Sequence, residues 1–315
     1  MLLAIVSCSE PAPTHWVGTW AAARQLVEPH NNPPAPGLEG NSFRQIVQVS
    51  IGGETARLRL SNEFSTDSTE ILAIEMAHAM TEGASYEIDE STTVSLTFDG
   101  KPNVTMAAGA TATSDPIKFP MSPRQSVAIT IHYGHASSTS VTGHPSSRTT
   151  SYLAEGNTCD FSNAIRTEHW YNIRGIDVLA SLETGAIAIL GNSITDGRGS
   201  TTNNQNRWPD ILSERLLANE ATKNVAVLNM GIGGNYFMEL AKFRAARLLW
   251  AKIVEAYKAP IFTAALKDAA KMNVCAETSR FNMTIFDAYV NMLRTQTETM
   301  SAALAGVDEI VVTPF

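Results

Sequence analysis

Hydrophobic and polar residues alternate along the first half of the chain. The alternation over residues 43–51, the pair Gly52-Gly53 and the alternation over 56–60 predict a hairpin with one buried face. Residues 94–98 and 127–133 repeat the pattern. Because no helical period separates these short strands, we expect residues 14–174 to form an all-β domain, a β-sandwich.

From about residue 175 the pattern becomes that of an α/β layer. Residues 186–190 are a continuous apolar run, which is typical of a parallel strand covered on both faces. Pro209 suits the first turn of a helix that follows, and residues 225–229 predict the next strand. The order strand, helix, strand therefore predicts an α/β layer over residues 175–235.

A third pattern runs over residues 236–315. Apolar residues near helical spacing predict a long helix over residues 237–257 and a second over 285–304. Shorter runs predict strands over 271–276 and 309–313. No internal repeat or low-complexity linker separates the three segments.

Composition narrows the function classes. The chain has 315 residues, of which 44% are hydrophobic and 17% charged, as in an ordinary globular protein. Its formal charge of -8 offers no basic stripe to neutralise phosphates, so we expect no nucleic-acid partner.

The first 13 residues are similar to the end of a bacterial lipoprotein signal, with Cys8 as a possible lipid anchor. This favours a secreted, periplasmic or outer-membrane lipoprotein of a bacterium. Apart from Cys8 the chain has only Cys159 and Cys275, and two distant cysteines predict neither a disulfide framework nor a metal site.

Ser193 lies in a Gly-x-Ser turn between a predicted strand and a predicted helix. Such a turn exposes a hydroxyl at the carboxyl edge of a sheet, where sites of α/β proteins lie. A serine nucleophile also needs a base and oxyanion donors. The alternative is a serine that only caps the helix, and the turn alone favours that alternative.

Ser193 belongs to a set of short motifs at residues 16–20, 57–62, 142–151, 191–197, 206–209 and 228–235. Together these motifs resemble the SGNH (GDSL-type) hydrolases, with the sandwich that precedes this fold in secreted bacterial acylhydrolases of plant polysaccharides. The resemblance covers about residues 14–235 and implies a truncated, flavodoxin-like α/β layer. It implies ester hydrolysis with Ser193 as nucleophile and the Gly234 backbone N–H as an oxyanion donor. Asn192 replaces the usual aspartate of the family.

The rest of that machinery is absent from the sequence. The blocks that supply an Asn donor and an Asp-His pair are missing, and every histidine precedes Ser193. His144 and His169 are the better substitutes for a base, yet we expect both to be structural or surface residues. Asp196 is expected to be a turn or cap residue. The seven histidines are His15, His30, His78, His132, His135, His144 and His169.

Three further motifs lie at residues 236–250, 276–284 and 294–306. With them, the segment from residue 232 to 315 looks like methylmalonyl-CoA mutase, and more like its small, non-catalytic subunit. This resemblance implies a (β/α)₈-barrel fragment of two helices and two strands. Cys275 stands where the catalytic subunit has a histidine. Thr278, Ser279 and Arg280 lie where substrate contacts would cluster, although turn and cap roles are favoured for them. No segment of the sequence resembles the cobalamin-binding domain of this family. The SGNH hydrolases and the mutase small subunit share a four-residue motif at the junction, Ile232 to Asn235.

Three functions follow as hypotheses. The first is a serine ester hydrolase acting on a small-molecule or polysaccharide ester, impaired by the missing blocks, with no cofactor and no metal. The second is a non-catalytic glycan- or partner-binding protein. The third is a mutase-related fragment, of the isomerase family, without activity alone. The oligomeric state stays open.

Overall fold

The computed structural model describes residues 13–232, 236–256, 271–278 and 288–312. The chain divides into two compact units, Met1–Gly233 and Gly234–Phe315. Among the described residues, no helix is both long and apolar enough to cross a membrane.

The first unit contains a five-stranded antiparallel sheet. Its order is β1, β15, β4 and β8, and β9 also pairs with β4. Asp177 of β15 is buried opposite Arg57, and its carboxylate accepts a hydrogen bond from Arg57 at 2.9 Å and forms an ion pair with Arg59 at 3.0 Å. The strands are β1 (Thr14–Ala21), β4 (Gly53–Ser61), β8 (Thr111–Thr113), β9 (Ile117–Met121) and β15 (Ile173–Ser181).

A second antiparallel sheet has seven strands in the order β13, β12, β3, β10, β5 and β6, with β7 also paired to β5. Its strands are β3 (Ser42–Gln48), β5 (Thr69–Ala79), β6 (Ile88–Ser95), β7 (Val104–Met106), β10 (Ser126–Tyr133), β12 (Ser151–Ala154) and β13 (Ile165–Thr167). A smaller sheet joins β2 (Gln25–Leu26), β11 (Thr142–Pro145) and β14 (His169–Tyr171), and a 3₁₀-helix spans Pro29–Asn31.

Both large sheets contribute to one apolar core. Leu58 and Ile176 come from the five-stranded sheet, and Val47 and Ile129 from the seven-stranded sheet, and all four are fully buried. Each such side chain contributes about 1.5–3 kcal/mol by leaving water. A smaller cluster that includes Phe161 covers the opposite face of the seven-stranded sheet.

The predicted hairpin over residues 43–60 is wrong, although both of its strands exist. β3 pairs with β10 and β12, whereas β4 pairs with β15, β8 and β9 in the other sheet. Gly52-Gly53 therefore carries the chain from one sheet to the other. Because β3 is covered on both faces, even Arg44 is only 3% exposed.

The α/β elements of the first unit form a two-stranded parallel sheet. β16 (Gly185–Gly191) pairs with β17 (Val225–Gly231), and α1 (Ser193–Asp196) and α2 (Trp208–Leu217) lie between them in the chain. The predicted parallel strand is confirmed, but its coverage on both faces is wrong, since Ile187 is 44% and Leu190 48% exposed. β17 packs on β1, where Leu228 contacts Gly18.

The second unit contains two long helices and two short parallel strands within its described residues. Their order is α3 (Tyr236–Ala256), β18 (Cys275–Glu277), α4 (Ala288–Ala305) and β19 (Glu309–Val311). The Asp308 carboxylate accepts hydrogen bonds from Arg247 at 2.6 Å and from the Val274 backbone N–H at 2.7 Å, so it ties α3 to the strands. The β-sandwich, SGNH-type layer and barrel fragment remain predictions at the level of fold class.

Two glycines let the turn after β16 lie directly against β17. A Cβ atom at Gly231 would lie 2.2 Å from the Asp196 backbone nitrogen, and one at Gly191 would lie 2.0 Å from the Thr195 hydroxyl oxygen. A side chain at Gly231 meets backbone, which cannot rotate away. We therefore expect Gly231→Ala to lower the free energy of unfolding by about 1–3 kcal/mol.

Urea denaturation followed by tryptophan fluorescence measures this loss. Gly185→Ala is the matched control, because a Cβ there has open space within 4 Å. Equal urea midpoints for the two variants would show that the close approach does not constrain the fold.

Candidate functional site

The turn that carries Ser193 follows directly from β16. The Asn192 side chain caps α1 by accepting a hydrogen bond from the Ile194 backbone N–H at 3.1 Å. Ser193 is the first residue of α1 and half-buried. From β17, Asn229 donates to the Thr195 carbonyl at 2.8 Å, which fixes the turn against the sheet.

The last residue of α1 belongs to a buried ion pair. Asp196 accepts a hydrogen bond from His144 Nε2 at 2.8 Å, and the two residues are only 6% and 3% exposed. His144 lies on β11, and its Nδ1 is 2.6 Å from the Ala23 carbonyl oxygen. Each ring nitrogen of His144 therefore lies within hydrogen-bond distance of an acceptor, a carboxylate oxygen on one side and a carbonyl oxygen on the other.

Aromatic and cationic side chains surround this pair. The His144 ring stacks on Trp170 with centroids 5.5 Å apart, and Trp170 meets Trp20 edge to face at 5.1 Å. Arg207 donates to Asp210 at 2.7 Å, and its guanidinium carbon lies 6.0 Å from the Trp170 ring centroid. These groups line a cavity of about 20 Å³. That volume holds about one water molecule.

The structure does not bring a histidine to Ser193. His144 faces Asp196, and the Ser193 hydroxyl makes no hydrogen bond with any described residue. His169 is half-buried and accepts a hydrogen bond from the Ser146 backbone N–H at 3.1 Å. Burial lowers the pKa of His169. Gly234, the expected oxyanion donor, lies outside the described residues.

The His144–Asp196 pair therefore acts as a tether between the small sheet and the turn. The sequence predicted a structural histidine and a turn aspartate separately, and it missed that they touch. Fifty-two positions separate them, and neither residue follows a recognisable spacing rule. A buried aspartate needs a hydrogen-bonding or cationic partner, but the burial of Asp196 is visible only in the folded structure.

In the second unit the predicted contact positions lie at the end of β18. Thr278 is 5% exposed, and its backbone N–H donates to the Val311 carbonyl at 3.0 Å. Cys275 is an exposed free thiol on the same strand. Ser279 and Arg280 lie outside the described residues, so their expected turn and cap roles stay predictions.

Comparisons with known proteins match the second unit and the residues just before it. The family model described as methylmalonyl-CoA mutase matches residues 210–315. The methylmalonyl-CoA mutase small subunit of Porphyromonas gingivalis is 61% identical over 87 residues, 28% of this chain and 13% of the relative.

Two large subunits are also similar. That of Porphyromonas gingivalis is 45% identical over 73 residues, 23% of this chain and 10% of the relative. That of Propionibacterium freudenreichii subsp. shermanii is 42% identical over 74 residues, 23% of this chain and 9% of the relative. The chain thus spans about an eighth or less of the length of these relatives, and its mutase-like region is confirmed.

These findings correct the expected activity. The matching family and relatives are mutases, which are isomerases, so the expectation of a serine ester hydrolase is wrong. The role of Ser193 as a nucleophile stays a prediction. The resemblance to SGNH hydrolases has no support in these matches. The family model also begins at residue 210, upstream of the expected start at 236.

The expected partners are corrected on the same finding. We expected a small-molecule or polysaccharide ester as substrate, whereas the relatives are named as subunits of an enzyme that acts on methylmalonyl-CoA. No match supports a lipid anchor at Cys8, which lies outside the described residues. The secreted, periplasmic or outer-membrane location stays a prediction.

The ion pair predicts a large stability effect at His144. We expect His144→Ala to lower the free energy of unfolding by about 3–5 kcal/mol, because it leaves the Asp196 carboxylate buried without its partner. Ser193→Ala is the control, expected to change stability by less than about 0.5 kcal/mol. Thermal unfolding monitored by circular dichroism measures both, and a loss at Ser193→Ala as large as that at His144→Ala would contradict the assignment.

Proposed function

We propose that the second unit, residues 234–315, is a subunit-pairing module of the methylmalonyl-CoA mutase type, without mutase activity of its own. The observation that carries this proposal is the 61% identity to a mutase small subunit, against 45% and 42% to two large subunits. Because these relatives are named as small and large subunits, the proposed partner of the module is a mutase subunit.

The topology of the second unit supports the proposal. β18 and β19 are parallel with Cys275 opposite Glu309, and α4 lies between them in the chain. Strand, helix and parallel strand make one repeat of a barrel wall. In a complete barrel, neighbouring repeats cover the apolar surfaces of such a unit, and a paired subunit could cover them in the same way.

Exposed apolar side chains on the helices support it as well. In α3, Leu248 is 59%, Leu249 48% and Trp250 39% exposed. In α4, Met300 is 55% and Leu304 54% exposed. Apolar surface of this kind marks an interaction site or an aggregation liability, and pairing with a mutase subunit would cover it.

Cobalamin chemistry does not fit this region. Residues 210–315 contain no histidine, so the imidazole of the family's Asp-x-His-x-x-Gly loop has no counterpart here. Cys275, in the position expected for the catalytic histidine, is exposed on β18. Both observations favour pairing over catalysis.

Complex formation tests the proposal directly. The full chain mixed with the Porphyromonas gingivalis large subunit is expected to elute as a complex in size-exclusion chromatography with light scattering. Leu249→Glu should weaken that complex by at least about tenfold, because it places a charge on the covered surface.

The matched control for that experiment is Met80→Glu, an equal change at a residue that is 63% exposed in the first unit. It should bind as the unchanged chain does. Absence of a complex at micromolar concentration, or equal loss with both variants, would refute the pairing.

Activity provides a second test. The chain alone, supplied with cobalamin and methylmalonyl-CoA, is expected to leave the substrate unchanged, because it lacks the groups that hold the cofactor. Chromatography of the acyl-CoA pool measures this, and sustained turnover by the chain alone would contradict a non-catalytic module.

A further inference from the structure

A cluster of three side chains with metal-ligating atoms lies on the seven-stranded sheet, on the face opposite the main core. Glu75, His132 and Cys159 place one carboxylate oxygen, one ring nitrogen and one sulfur within 4.8 Å of one another. From these residues we infer that this face carries a zinc site with three protein ligands and an open fourth position.

The sheet register brings two of the ligands to the same face. Thr130 of β10 is opposite Glu75 of β5, and His132 lies two residues beyond Thr130. Side chains two residues apart on a strand share a face, so Glu75 and His132 are diagonal neighbours. Cys159 reaches them from the segment after β12, two residues before the buried Phe161.

Hydrogen bonds fix the ring of His132 in the tautomer that a metal needs. The Ser42 hydroxyl donates its one proton to the Gly156 carbonyl at 2.8 Å and accepts from the Thr158 backbone N–H at 2.9 Å. Its remaining contact, with His132 Nδ1 at 2.9 Å, must therefore be one that the ring donates. Nδ1 then carries the proton, and Nε2 presents a lone pair.

This arrangement is the one seen around metal-bound histidines, where the second ring N–H is held by an outer partner that orients the ligand. Only 5% of His132 is exposed, so the ring cannot turn freely. Ser42 lies directly opposite His132 in the sheet, which makes it a positioning residue for this ligand.

The donor set fits Zn²⁺ in kind and in geometry. Sulfur, imidazole nitrogen and carboxylate oxygen are the three ligand types of zinc, with bonds of about 2.0–2.3 Å. Those bonds place ligands roughly 3.5 Å apart in a tetrahedron. The Cys159 sulfur is already 3.6 Å from a Glu75 oxygen, and the three donor atoms all lie within 4.8 Å of one another.

Charge also fits a divalent cation. The S–H of Cys159 donates to Glu75, and binding replaces that proton: the thiol and Zn²⁺ give a zinc thiolate and one H⁺ released to solvent. The thiolate and the Glu75 carboxylate then neutralise the two charges of the ion. The neighbouring Arg44 adds a positive charge, and its guanidinium is held by Thr130 at 2.9 Å and by the Tyr86 carbonyl at 2.9 Å. Glu90 is a further acidic group that acts on Arg44.

The open position faces solvent on the side of Cys159. Three protein ligands with one position for water are the pattern of zinc sites that bind or activate a small ligand, whereas closed structural sites use four. No motif in the sequence indicates this site, because its ligands are 57 and 27 residues apart along the chain.

Metal binding by the full chain tests the inference. After treatment with a chelator and a thiol reductant, the protein is titrated with ZnCl₂ by isothermal calorimetry and with CoCl₂ by absorption spectroscopy. We expect one ion per chain and a thiolate-to-cobalt charge-transfer band. Cys159→Ser should abolish the band and weaken zinc at least about tenfold.

Two further variants sharpen the result. Cys275→Ser is the matched control, since Cys275 is also an exposed free thiol, and it should keep both the band and the affinity. Ser42→Ala retains all three ligands and should weaken zinc by about 10–100-fold through loss of ring orientation. Circular dichroism establishes that each variant is folded.

The overturning outcomes are distinct. Zinc bound equally by the Cys159→Ser variant, or a cobalt band lost in Cys275→Ser instead, would assign binding to other residues and refute the site. Glu75→Gln with unchanged affinity would remove the carboxylate from the ligand set and overturn the three-ligand assignment.

Discussion

The first unit depends on one apolar core that both large sheets build together. Leu58 and Val47 lie in different sheets and are fully buried in the same cluster, so neither sheet covers its own inner face. β17 extends this arrangement by placing Ala226 in the core beside β1. The turn with Ser193, the His144–Asp196 pair and the cluster at His132 are all positioned by strands that this core holds in register.

The sequence predicted strands better than it predicted their partners. Alternation of apolar residues located β3 and β4, because a half-buried strand needs that period. Gly52-Gly53 is compatible with a hairpin and equally with a crossing between sheets, and only distant pairings, such as that of Arg57 with Asp177, decide between them. The helices of the second unit were predicted closely, since their period is a local property of the chain.

The candidate sites show the same limit. Ser193 was recognisable because glycines and a serine at fixed spacing describe a turn. His144 with Asp196, and Glu75 with His132, are contacts across a folded sheet, and no spacing along the chain encodes them. The mutase-like region was identified because its similarity to a known family can be recognised from the sequence alone. That recognition does not depend on which residues contact one another in the fold.

The close approach of Gly191 and Gly231 to α1 has a consequence for how motifs are interpreted. Both glycines are required by backbone and side-chain atoms that would otherwise occupy the same space. A steric requirement of this kind persists whether or not the neighbouring hydroxyl ever attacks a substrate. Packing requirements alone can therefore maintain a sequence motif that resembles a catalytic one. Such a motif indicates a local backbone conformation before it indicates a reaction.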